Sequence, residues 1–159
     1  MPDRTRDLIR HTVATLAYRG GKTVQGAPPT FAAYAVGLGA RTPGQILAHI
    51  GDLLDWSMGL FEGLHRWHAS DPMRWDAEVA RFFAAVQRLD HRLASPTPLR
   101  CSEEQLFQGP IADALTHVGQ LAMLRRLAEA PIRAENYFRA EIVSGRVGAE
   151  QSAVKKEFD

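Results

Sequence analysis

The sequence predicts an all-α fold, a four-helix bundle, and three observations predict it. Apolar residues recur at helical spacing in four long segments; no stretch alternates apolar and polar residues as a half-buried strand does; and there is neither βαβ order nor a short-period repeat. With 159 residues, 45% hydrophobic and 23% charged, the chain suits a single domain, residues 1–159, with a core of its own.

The first helix is expected from about Arg4 to Tyr18, where Leu8, Ile9, Val13, Leu16 and Ala17 share one face. Gly20 and Gly21 are expected to stop it. A long helix 1–2 connection follows to Arg41, rich in Gly and Pro, and loops of that length are often functional or packed as lids.

Thr42, Pro43 and Gln45 announce the second helix: an N-cap, a proline at the first helical position and the reciprocal half of a capping box. Ile46, Ile50, Leu53, Leu54, Ser57, Leu60 and Phe61 make its buried stripe, and the pattern predicts a helix to about Trp67. Asp71 with Pro72 predicts the start of the third, whose stripe runs from Trp75 through Phe82, Phe83, Val86 and Leu89 to Leu93. Ser95-Pro96-Thr97-Pro98 ends it.

Ser102 with Gln105 is suited to cap a short turn, and Gly109-Pro110 is expected to restart the chain as a fourth long helix to about Ala128. From Ala114 to Leu124 that helix carries no Asp, Glu, Lys or Arg, which predicts that protein surrounds it. Residues 143–159 are expected as a flexible or loosely docked tail.

Charge and cysteine content narrow the function. Sixteen of the 19 basic residues are Arg, but they are scattered among 18 acids and the net charge is +1, so neither a nucleic-acid track nor an anionic membrane is implied. The single cysteine, Cys101, allows no internal disulfide and points to a reducing compartment. The charged N-terminus lacks the apolar stretch of a signal peptide, and no apolar run reaches the roughly 20 residues of a membrane span. The expected location is the cytoplasm.

One constellation carries chemistry. Asp113 and His117 lie four residues apart on the fourth helix, hence on one face, a turn apart. A carboxylate in so apolar a helix needs a cation beside it: a protonated histidine, an arginine or a metal. His49 stands on the shoulder of the second helix's stripe and points along the bundle interior. Together the three make a two-histidine, one-carboxylate set that leaves coordination positions open. Asp52 and Gln120 are candidates for orienting the ligating histidines. The alternative is structural: Asp113 and His117 pair with each other or with an arginine in a non-catalytic, dimeric bundle that binds a ligand or another protein.

Other motifs lack what their chemistry needs. Gly21-Lys22-Thr23 ends like a phosphate-binding loop, but Leu16 replaces the required first glycine and a helix precedes it. Glu62-x-x-His65 occurs once, whereas di-iron bundles use two such pairs. Cys101 has no activating neighbour in sequence.

The runs Ile46-Leu47-Ala48-His49-Ile50 with Asp55-Trp56, Asp113-Ala114-Leu115-Thr116-His117-Val118-Gly119-Gln120-Leu121, and Glu135–Ile142 with Gly145-Arg146-Val147 resemble the DinB/YfiT-like superfamily over nearly the whole chain. The resemblance implies a four-helix bundle, a homodimer, and a divalent metal held by three histidines, of which His49 and His117 match two. Asp113 takes the place of the third, and such a mixed site suits Zn, Ni, Fe or Mn. The resemblance further implies a small-molecule substrate and a reaction such as transfer of a low-molecular-weight thiol, of the bacillithiol or mycothiol kind, or a hydrolysis.

Overall fold

The structure is a computed structural model and describes residues 4–158. Its long elements are α1 (Arg4–Val24), α2 (Pro43–Leu60), α3 (Trp75–Ala94), and α4 (Glu103–Leu106), which runs through a π turn (Phe107–Ile111) into α5 (Ala112–Leu127). Single 3-10 turns lie at Phe31–Ala33 and Tyr137–Arg139, and among the described residues there is no strand. With α4 and α5 counted as one rod, four rods form the predicted helical bundle.

α1 packs against α3 and α5, and α2 packs against the same two. α1 and α2 therefore stand on one diagonal of the bundle. The long 25–42 connection joins that pair, and the shorter 95–102 loop joins the other diagonal, α3 and the α4–α5 rod. Val13, Leu16, Leu47, Ile50, Leu54, Val86, Leu89 and Leu121 fill the centre, each fully buried.

The connection is anchored from below. Phe31 is buried and meets Trp75 edge-on at 5.3 Å between centroids. Arg125, buried on α5, donates to the carbonyls of Thr23, Gln25, Gly26 and Ala130, so one guanidinium satisfies the open end of α1 and of its own helix. Beyond Ile142 the chain is irregular but tied back: Val147 is buried, and Asn136 and Phe158 donate backbone bonds to Lys156 and Ala134.

Four boundaries differ from the expectation, each for a definable reason. α1 does not stop at Gly20-Gly21 but continues to Val24, because the glycines make room for α3. A Cβ on Gly20 would lie 2.5 Å from Phe82 Cζ, and one on Gly21 3.1 Å from Phe83 Cζ. α2 ends at Leu60 and not near Trp67. Gly63, at φ +75°, closes it with bonds from Leu64 N–H to the Gly59 carbonyl and from Gly63 N–H to that of Leu60, a Schellman termination. α3 starts at Trp75 rather than at Asp71, because Ser70 is held by Asp52 and the chain stays extended to Arg74. Gly109-Pro110 does not restart a helix. Pro110 lacks an N–H and is absorbed into the π turn, which keeps the rod continuous.

The capping boxes at Thr42/Gln45 and Ser102/Gln105 are both formed as the sequence predicts. The uncharged stretch of α5, however, is not surrounded by protein. Thr116, Gly119, Gln120 and Met123 form an exposed face, and Met123 is 65% exposed.

Candidate metal centre

α2 and α5 are neighbours, and their facing surfaces bring His49, Asp113 and His117 together. The capping box fixes where α2 begins, and His49 falls two turns in, beside the fully buried Leu47 and Ile50. The π turn delivers Asp113 to the first turn of α5, and the four-residue spacing stacks His117 above it.

His49 Nε2 is 3.6 Å from Asp113 Oδ2, and His117 Nε2 is 3.4 Å from Asp113 Oδ1. The imidazole rings stand perpendicular at 4.6 Å between centroids. One ligand atom from each residue lies within 4.8 Å of the other two. Both nitrogen–oxygen separations exceed the 2.7–3.2 Å of a good hydrogen bond. They are close to the edge of a tetrahedron with ligand bonds of 2.0–2.1 Å, about 3.3–3.4 Å.

The surrounding contacts fit the same geometry. His117 Nδ1 lies 2.8 Å from Gln120 Oε1, a contact that holds the ring with Nε2 on the side of the carboxylate. Burial pushes the His49 pKa down, Arg41 and the neighbouring His117 push it further, and Asp113 only partly opposes them. A neutral His49 is a ligand ready for metal. The Asp113 side chain is 45% exposed, so the donors open to solvent on one side.

Gln120 thus lies where an orienting residue is needed. Asp52 does not contact His49 in this way: its carboxylate takes Arg81 at 2.7 Å and the Ser70 N–H at 2.9 Å. Burial alone would raise its pKa, but those bonds outweigh burial and hold it below the usual carboxylate range. Its contribution is to fix the 61–74 segment and α3 against α2.

Trp67 and Arg41 come from loops, and spacing on a helix gives no access to them. Trp67 lies on the returning 61–74 segment and meets His49 edge-on at 5.4 Å, with Trp56 behind it at 6.0 Å. Arg41 precedes the cap of α2 and lines the cavities on either side of the trio. Its one sequence signal is adjacency to that cap.

The motifs set aside stay apart from this centre. Lys22 pairs with the buried Glu135, which also accepts from Tyr18. His65 and His68 are exposed, and the Cys101 thiol is pushed up by burial and by Glu103. Among the described residues no helix is long and apolar enough to cross a membrane.

No family model, curated protein or solved structure matches the chain.

Proposed function

We propose that this chain is a metal-dependent bundle protein of DinB/YfiT type, with His49, Asp113 and His117 as ligands of one divalent ion. The observation that carries the reading is the pair of 3.4 and 3.6 Å separations between imidazole nitrogens and carboxylate oxygens, longer than a good hydrogen bond and close to the edge of a metal tetrahedron. A divalent cation between two imidazoles and a carboxylate at that spacing would bond to all three. Two imidazoles and one carboxylate suit Zn, Ni, Fe or Mn and leave positions free.

A divalent ion at such a site acts as a Lewis acid and brings a bound water or thiol close to neutral pKa, the chemistry of a hydrolase or thiol transferase. The chain's own residues do the positioning. Gln120 fixes the His117 ring, Trp67 and Trp56 wall off His49, and the exposed side of Asp113 leaves an approach for a small molecule. The uncharged face of α5 fits a second copy of the chain, and a homodimer in the cytoplasm belongs to this proposal.

The test is element-specific analysis of untagged protein, expected to give about one divalent ion per chain, with loss in His117→Ala. Metal should also raise the melting temperature by mass action, and a chelator should lower it. A folded wild-type protein that neither carries nor takes up metal overturns the reading.

A further inference from the structure

Two cavities flank the trio and share one wall residue. The larger, about 420 Å³, is lined mainly by apolar groups, including Val36, Ile46, Met123 and Leu127, and reaches His117. The smaller, about 210 Å³, is more polar than the first and reaches His49 beside Gln45, Asp52, Ser70 and Asp71. Arg41 lines both.

Three other arginines of the bundle are committed. Arg81 is bound by Asp52 and Asp55, Arg88 by Asp55, and Arg125 by four carbonyls. Arg41 is exposed and, among the described residues, has no hydrogen bond or ion pair. An unpaired guanidinium at the junction of an apolar pocket and a polar one matches a ligand with an apolar body and one anionic end. Its planar fork suits a carboxylate in particular.

We propose that the cavity beside the trio binds small aliphatic carboxylates, with the carboxylate on Arg41 and the hydrocarbon against Met123 and Leu127. The assignment rests on the metal reading insofar as the bound molecule is the one presented to the three donors. Arg41 decides the orientation, with the carboxylate at the rim and the hydrocarbon against Met123 and Leu127. Apolar surface supplies the affinity, and a single charge-assisted contact supplies the selectivity.

The experiment titrates the full chain, metal-free and zinc-loaded, with hexanoate, 1-hexanol and hexylamine, followed by amide and methionine-methyl NMR shifts. Hexanoate is expected to bind at least fivefold more tightly than hexanol or hexylamine, with shifts at Met123 and Leu127. Arg41→Gln should bring hexanoate to the hexanol level, Arg41→Lys should retain part of the preference, and neither should change metal content. Equal binding of the three probes, or a preference that survives Arg41→Gln, overturns the inference even if zinc loads normally. Hexanoate selectivity that depends on Arg41 in a protein that takes up no metal upholds this inference while removing the metal reading.

Discussion

At the scale of single residues, the centre depends on a division of labour among carboxylates. Asp113 is half-exposed and faces two imidazoles, whereas Asp52, one turn along α2 from His49, is buried and committed to Arg81 and Ser70. Because Asp52 is held below its ordinary pKa, it stabilises the fold fully above the unfolded value near 4. That contribution disappears as pH falls through the lower folded value. Asp52→Asn is therefore expected to cost about 1–3 kcal/mol at neutral pH. The gap from wild type should narrow as the pH drops below about 4 in urea titrations run across pH. A gap that stays constant down to acid would mean that the ionised form of Asp52 contributes nothing. The pairing of Asp113 with His117 was legible in the sequence because i, i+4 spacing is a local property. The committed role of Asp52 was not, since Arg81 reaches it from another helix.

At the scale of elements, the same residue type carries opposite meanings. Gly63 ends α2 with a positive φ, while Gly20 continues α1 and admits an aromatic ring. Both look alike in sequence, because the ring that decides the matter belongs to α3. Gly20→Ala should gain about 1 kcal/mol of helix propensity. It should lose about 1–3 kcal/mol to overpacking against the buried Phe82, for a net loss. Gly119→Ala, on α5 with no heavy atom within 4 Å of the added carbon, should keep the gain. Denaturant midpoints of the two variants moving in the same direction would contradict this. The capped starts at Thr42 and Ser102 were legible to the residue, since a capping box is written in four consecutive positions. The start of α3 and the path of the 61–74 segment were not, because contacts with α2 set them.

At the scale of the molecule, the bundle closes through α1 and α2 on one diagonal and spends its longest connection joining them. That connection brings Arg41 and Val36 to the cavity, so the topology itself supplies the rim of the site. The exposed, uncharged face of α5 lies on the same side, and Met123 belongs to both face and cavity. A second copy seated there would also roof the cavity. Gly119→Arg places a charge on this face without meeting any neighbour. Sedimentation velocity should show a wild-type dimer and a monomeric Gly119→Arg variant with metal content unchanged. A monomeric wild type would remove the dimer from the proposal.

The π turn beneath Asp113 has a consequence for how such a chain tolerates change. It holds one residue more than an α turn, so the α4 segment is out of phase with α5 by about 100°. Leu106 enters the core in one phase while Asp113 and His117 face His49 in another. The extra residue sets the phase in which Asp113 and His117 face His49 independently of the phase in which Leu106 packs. Loss of a single residue between 107 and 111 would abolish that independence, forcing either Leu106 out of the core or the two ligands off their common aim.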